Sequence, residues 1–161
     1  SALALPATGM AVTLDIGEAK DAHPDNKIHV GQRLALVGRK VVYGEDVVCT
    51  GPVFQSAEFK EGAAIVKFAN TGGGLVIGEA PWRAKSMPAV PTDKLVGFAL
   101  TGGDGRWQEA EARIEGDTVT VSHPSVPRPT AVAYGWADSP SVNLYNKEGL
   151  PAAPFRTDVT P

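Results

Sequence analysis

The spacing of apolar residues changes near residue 46, and this change divides the chain into two parts. In the first part, residues 10–16 form a compact apolar run, which predicts a short buried strand that ends at Asp15. A polar turn over residues 17–25 follows, and residues 26–43 have the spacing of a helix. A strand, a loop and a helix are one half of an α/β unit, and such a half cannot bury its apolar surface alone.

The predicted helix has one apolar face, because aliphatic side chains recur at intervals of three and four residues. This face consists of Val30, Leu34, Val37 and Val41. Asp25 or Asn26 can cap the start of the helix, and Gly44 is suited to its end. Gly31 and Gly38 would allow another element to approach the helix closely.

From residue 46 onward the period is two, which is typical of β-strands. Glu61-Gly62 predicts a hairpin turn between two alternating segments, and residues 115–117 predict another. The pattern as a whole predicts an antiparallel sandwich or a partly open barrel. We therefore expect three units, which are a strand-loop-helix over residues 1–45, a β-sandwich-like domain over 46–142, and an extended tail over 143–161 that packs on the surface.

Composition and charge exclude several classes of function. The net charge is −3 and no segment is strongly basic, which argues against a nucleic-acid partner. No apolar run approaches the roughly 18 residues that a membrane-spanning helix needs. Cys49 is the only cysteine, so neither an internal disulfide nor a thiolate metal cluster can form. We predict no cofactor and no metal.

His23 is the strongest candidate for chemistry, because it lies in the loop between the predicted strand and helix. Asp21 stands two residues before it. An imidazole in such a loop can accept the proton of an attacking hydroxyl, and a nearby carboxylate can fix its tautomer. The alternative is a surface histidine beside the start of a helix, which is also what we expect of His29 and His123.

Three groups of residues resemble the sialate O-acetylesterase family of the SGNH hydrolases. They are residues 5–12; residues 15–18 with Asp21-Ala22-His23-Pro24; and residues 134–138 with 143–146, 149–152 and 154–156. The likeness covers essentially the whole chain but only the last part of a full-length family member. It implies an α/β piece, which is the last strand and helix of an SGNH hydrolase domain, followed by an all-β antiparallel sandwich-like domain.

The resemblance also implies an activity, the removal of O-acetyl groups from sialic acids or related acetylated sugars. His23 would act first as general base and then as general acid. Asp21 would orient the imidazole, although the broader SGNH pattern places the acid one residue earlier, where this chain has Lys20. Asp15 is an alternative orienting group, and a Ser-His dyad is another possibility. We expect an exported protein, in the periplasm, the extracellular space or the lysosome.

The serine nucleophile has no counterpart in the sequence. Neither a Gly-x-Ser-x-Gly nor a Gly-Asp-Ser segment occurs, and Asp138-Ser139-Pro140 is more typical of a turn. We therefore expect a serine-bearing N-terminal chain of the same enzyme as a partner. The other hypothesis is a non-catalytic carbohydrate-binding or structural β domain.

Aromatic and basic side chains of the β region could also contact a sugar. Tryptophan rings can stack on sugar rings, although they more often pack in a core or interface. The tryptophans are Trp82, Trp107 and Trp136. An arginine could bind the carboxylate of a sialic acid through two hydrogen bonds. The candidates are Arg83, Arg106, Arg128 and Arg156.

Overall fold

The computed structural model describes residues 2–80 and 91–158, and its regular structure is mainly antiparallel β-sheet. Within these residues the chain forms a short 3-10 helix at Ala2–Ala4, one α-helix, α1, at Lys27–Val41, and ten β-strands. The strands are β1 Val53–Lys60, β2 Ala63–Ala69, β3 Leu75–Ile77, β4 Phe98–Thr101, β5 Trp107–Glu109, β6 Glu111–Glu115, β7 Thr118–Ser122, β8 Ala131–Tyr134, β9 Leu144–Asn146 and β10 Phe155–Arg156. No helix in this part of the chain is both long and apolar enough to span a bilayer.

Two four-stranded sheets make up the β region. The first sheet has the order β1-β2-β7-β6, the second has the order β10-β8-β4-β5, and β3 pairs with β9 in a separate two-stranded sheet. Every paired strand runs antiparallel to its neighbour. The predicted fold class, a small α/β piece followed by an antiparallel sandwich-like domain, is confirmed.

Local turn chemistry accounts for the two hairpins of the first sheet. Glu61 and Gly62 have φ angles of 51° and 78°, as a two-residue type I′ turn between β1 and β2 requires. Between β6 and β7 the turn residues are Gly116, with a φ of 62°, and Asp117. Both hairpins were predicted from the sequence, and both are confirmed.

The core lies between the inner faces of the two large sheets. Alternate residues of β2 and β7 point inward and meet alternate residues of β4 and β8. Aromatic rings fill the centre: Phe98 and Tyr134 have centroids 4.7 Å apart, and Phe155 stacks on Phe54 at 4.5 Å. Burying a side chain of this size stabilises the fold by roughly 1.5–3 kcal/mol.

The predicted helix is confirmed as α1, but its buried face differs from the prediction. Asn26 caps the helix, because its Oδ1 accepts a hydrogen bond from the backbone N–H of His29 at 3.2 Å. Arg33 and Val37 are the buried residues of the helix, whereas Leu34 is 51% exposed. Arg33 takes the inward position because a buried carboxylate, that of Asp15, lies opposite it.

The predicted strand over residues 10–16 is not formed. Residues 10–13 have no regular secondary structure and residues 14–15 lie in a turn. A strand needs a neighbour that satisfies its backbone groups, and none of the described strands pairs with this segment. The chain from Gly9 to Asp15 packs against α1 instead: a Cβ added at Gly9 would lie 2.3 Å from Cγ1 of Val37, and Arg33 binds Val12 and Asp15.

The residues predicted to form an extended tail contribute two strands, β9 and β10. Residues 142–146 are buried. Asn143 links them to the segment before β4, because its Oδ1 accepts a hydrogen bond from the N–H of Val96 at 2.8 Å. Asn146 Oδ1 accepts a hydrogen bond from the N–H of Leu150 at 2.9 Å. The division of the chain into three units stays a prediction.

Candidate functional site

The loop before α1 places His23 on the surface. Glu18 and Asp21 form an isolated antiparallel bridge across the loop, and Glu18 Oε1 accepts a hydrogen bond from the N–H of Asp25 at 3.0 Å. Asp21 Oδ1 accepts a hydrogen bond from the backbone N–H of His23 at 2.8 Å. This local turn holds the His23 backbone, while its side chain is 92% exposed.

The imidazole and the carboxylate of this loop are close to each other but not hydrogen-bonded through their side chains. His23 Nδ1 lies 3.7 Å from Asp21 Oδ1, which is longer than a hydrogen bond. Catalytic hydrogen bonds are often long before a substrate is bound and shorten in the reactive complex. With Nδ1 turned toward Asp21, Nε2 would be left to contact a hydroxyl group that approaches from solvent.

Asp15, the alternative orienting group, has a different role. Its Oδ1 and Oδ2 accept hydrogen bonds from Nη1 and Nη2 of Arg33 at 2.7 and 2.6 Å, and Oδ2 accepts a third from the Tyr145 hydroxyl at 2.8 Å. Arg33 Nη1 also donates to the carbonyl of Val12 at 2.7 Å. The carboxylate is therefore occupied in a buried network that joins the N-terminal segment to α1 and β9.

Burial sets the electrostatics of this network. Burial raises the pKa of Tyr145 above its ordinary value, and the negative charge of Asp15 raises it further, against the opposite effect of Arg33. Burial also raises the pKa of Tyr134, whose hydroxyl accepts a hydrogen bond from the N–H of Leu144 at 3.0 Å. Both tyrosines therefore stay neutral and act as fixed hydrogen-bonding groups.

An open pocket of about 340 Å³ lies between the N-terminal segment and the loop after β8. One wall is formed by residues 10–14, 17 and 18, and the other by residues 138–140 and 154. Glu18 belongs to the first wall, and its backbone bridge to Asp21 connects the pocket to the His23 loop. Asp138 and Ser139 are exposed in a bend, as their prediction as a turn requires.

Two of the three tryptophans lie beside one arginine on the outer face of the second sheet. The Arg156 Cζ atom is 5.1 Å from the ring centroid of Trp107 and 5.5 Å from that of Trp136. Asp158 binds the same guanidinium, since its Oδ1 and Oδ2 accept from Nε and Nη2 at 2.9 and 2.6 Å. These contacts raise the pKa of Arg156 and lower that of Asp158.

The other candidate side chains have local contacts, are exposed, or lie outside the residues that the structure describes. His29 Nδ1 is 2.8 Å from Asn26 Oδ1 at the helix cap, and His123 Nδ1 accepts a hydrogen bond from the N–H of Ser125 at 3.1 Å. Arg106 and Arg128 are exposed. Trp82 and Arg83 lie outside the described residues. Within residues 2–80 and 91–158, no three His, Cys, Asp or Glu side chains are grouped as a metal site.

Sequence reasoning missed two arrangements, the buried Arg33 network and the Arg156 cluster. Arg33 had a detectable signal, because it shares a helix face with Val30 and Val37 at spacings of three and four. Arg156 had none. Its aromatic neighbours are 20 and 49 positions away in the sequence, so only the folded sheet brings them together.

Comparison with solved structures gives a similarity that covers nearly the whole chain. No protein-family model matches the sequence, and no curated protein matches it. The crystal structure of a novel carbohydrate acetylesterase from Xanthomonas citri is similar, with 45% sequence identity and a TM-score of 0.84. The match covers 98% of this chain and 34% of that one, so the chain spans about a third of the length of the acetylesterase. The helix and sandwich-like sheets described above are thus the architecture of the corresponding third of that acetylesterase.

Proposed function

We propose that this chain is part of a carbohydrate O-acetylesterase, a carboxylic ester hydrolase, and that it supplies the catalytic histidine, His23. The observation that carries the proposal is the 45% identity, over 98% of the chain, to a carbohydrate acetylesterase. The His23 loop supports it, because an exposed imidazole stands beside the carboxylate of Asp21. The serine is provided by the remainder of the enzyme.

The reaction is an acyl transfer in two steps. His23 removes the proton of the serine hydroxyl, whose oxygen attacks the acetyl carbonyl. The bond to the sugar oxygen breaks, and this oxygen takes the proton from the imidazolium, which leaves an acetyl-serine. A water molecule then gives a proton to His23 and attacks the acetyl group, acetate leaves, and the serine oxygen takes the proton from the imidazolium. Asp21 stabilises the imidazolium that forms in each step.

The outer side of α1 supports a docked partner that carries the serine. Ile28, Gly31, Ala35, Gly38 and Val42 recur at intervals of three and four residues along this side and define an outward stripe. Ile28 and Val42 are 72% and 73% exposed, and nothing lies within 4 Å of a Cβ added at Gly31 or Gly38. An apolar helix face this open is typical of an interface. We propose that the serine-bearing part of the enzyme covers this stripe, since the related acetylesterase is about three times as long as this chain.

The proposal extends to the sugar that bears the acetyl group. The resemblance to sialate O-acetylesterases favours sialic acid, in an exported enzyme of the SGNH type. Related acetylated sugars are the alternative. A direct comparison of turnover on 9-O-acetylated sialic acid and on an acetylated neutral polysaccharide decides between them.

Replacement of His23 tests the catalytic proposal. In the chain assembled with its serine-bearing part, we expect His23→Ala to lower the rate of acetate release by about 10³-fold, because general acid–base catalysis is lost. His123→Ala is the matched control and should retain activity, since His123 lies in a turn of the β region. Near-normal turnover by His23→Ala would remove the histidine from the mechanism.

Replacement of Asp21 distinguishes a triad from a dyad. Asp21→Asn keeps the acceptor for the His23 N–H but removes the charge that would stabilise the imidazolium. If the site is a triad, acetate release falls well below the wild-type rate while KM changes little. An unchanged rate shows that serine and histidine act as a dyad.

A further inference from the structure

We propose that Trp107, Trp136 and Arg156 form a carbohydrate-binding platform, distinct from the His23 loop, that holds neutral pyranose units. The inference rests on the proposed function only for the class of ligand, a carbohydrate. The platform itself depends on the sheet, the ion pair and the exposed indole ring.

Strand alternation puts the side chains of Arg156 and Trp107 on one face, and the Trp136 ring contacts the arginine from the segment after β8. Phe155 points into the core, so its neighbour Arg156 points outward, beside Ala133 of β8 and, across it, Ala99 of β4. Trp107 pairs with Thr101, two residues along β4 from Ala99, and therefore lies on the same outer face. The small alanine side chains let the long arginine lie across the sheet toward Trp107.

The arginine holds the aromatic rings in place. Its Cζ atom is within about 6 Å of both ring centroids, the range in which a cation is attracted to an aromatic face. The two hydrogen bonds from Arg156 to Asp158 fix the guanidinium in turn. A ring that is already positioned loses little conformational entropy when a ligand stacks on it, which favours binding.

The ion pair between Arg156 and Asp158 makes the site favour an uncharged ligand. Two N–H groups of Arg156 and both carboxylate oxygens of Asp158 are engaged with each other, and their charges cancel. The arginine is therefore not available for two hydrogen bonds to a carboxylate of a sialic acid. The site that remains is neutral and aromatic, with polar atoms at its edge, and it suits the apolar face and the hydroxyl groups of an uncharged sugar.

Trp136 supplies the open surface. Its side chain follows Gly135, whose φ of 61° turns the chain at the end of β8, and the residue is 55% exposed. One side of the indole faces Arg156 and much of the rest faces solvent. Tryptophan combines a large apolar surface with one N–H donor, the combination that carbohydrate stacking uses.

The 340 Å³ pocket is lined by residues that are close in sequence to the platform. Residues 138–140, which begin two positions after Trp136, line the pocket, and so does Pro154, two residues before Arg156. The opposite wall of the pocket carries Glu18, which is bridged to Asp21. A sugar chain that stacks on Trp136 and enters the pocket would therefore extend toward the His23 loop.

Calorimetric titration of the His23→Ala protein tests the platform without turnover. The probes are cellohexaose, xylohexaose and mannohexaose as neutral chains, and sialyllactose as an acidic one. We expect at least one neutral probe to bind, and Trp136→Ala to weaken its binding about tenfold, because the stacking surface is lost. Trp136→Phe should retain part of the affinity, and Tyr43→Ala, which removes another exposed aromatic ring, should leave it unchanged.

Two results would overturn the platform. One is that no neutral probe binds, and the other is that the protein with Trp136 and the Trp136→Ala variant bind a neutral probe equally well. Tighter binding of sialyllactose than of the neutral probes would overturn the charge argument. Asp158→Asn supplies a further check, since it leaves the Arg156 charge uncompensated and should improve binding of sialyllactose. None of these readouts depends on hydrolysis, so failure of the esterase proposal and failure of the platform are distinguishable.

Discussion

Arg33 shows how a single residue can join distant parts of the chain. Its guanidinium contacts Asp15 and the carbonyl of Val12, and Asp15 in turn accepts from Tyr145 of β9. The side chains of Arg33 and Asp15 are 6% and 0% exposed. Removal of one partner from a buried ion pair leaves the other charge without compensation, which is costly. The network therefore fixes the N-terminal segment that leads into the His23 loop.

We expect Arg33→Ala to lower the free energy of unfolding by about 3–5 kcal/mol. Arg39→Ala is the matched control on the same helix, because Arg39 forms an exposed pair with Glu45, and its loss should cost less than about 1 kcal/mol. Denaturant unfolding followed by circular dichroism measures both. Equal losses in the two variants would show that the buried network does not stabilise the fold.

At the scale of the element, α1 depends on the cap that precedes it. The Oδ1 of Asn26 accepts from the backbone N–H of His29 and contacts the His29 ring, so one side chain orders the first turn. The loop that bears His23 ends at this cap. A frayed first turn would release the loop as well as the helix, so the cap links the stability of the element to the position of the imidazole.

We expect Asn26→Ala to destabilise the protein by about 1–2 kcal/mol, whereas Asn26→Asp, which retains an acceptor, should cost much less. Thermal unfolding measures the stability, and amide hydrogen exchange of residues 27–30 reports the first turn. If exchange in Asn26→Ala stays at the wild-type rate, the cap does not order this turn.

At the scale of the whole molecule, the outward stripe of α1 is an apolar surface that the described residues leave exposed. The chain matches about a third of the carbohydrate acetylesterase to which it is similar. A helix with one side on the N-terminal segment of its own chain and an apolar side in solvent has the form of an element shared between two bodies. The proposed enzyme would place its serine across this junction, opposite His23.

We expect Ala35→Glu, in the middle of the stripe, to abolish co-purification with the serine-bearing part and, with it, acetate release. Ser125→Glu makes the same change in charge on the exposed surface of the β region and should leave assembly intact. Size-exclusion chromatography of the mixed chains measures assembly. A stable complex with Ala35→Glu would place the partner elsewhere.

Local sequence signals determined much of the fold. The type I′ turn at Glu61-Gly62, the second hairpin around Gly116 and the helix after Asn26 all depend on contacts between residues a few positions apart. The alternation of apolar residues in β7 likewise fixed which side faces the core. His23 and Asp21 could be singled out because they are neighbours, although their catalytic role stays a proposal.

Only the tertiary structure decided the features that depend on distant partners. The strand predicted at residues 10–16 has no partner among the described strands, and α1 turns Arg33 rather than Leu34 inward because Asp15 lies opposite. β9 and β10 and the cluster around Arg156 arise from pairing between remote segments. The spacing of apolar residues in a sequence predicts which side chains are buried, but it does not predict which residues they pack against. The packing partners are determined only when the sheets assemble.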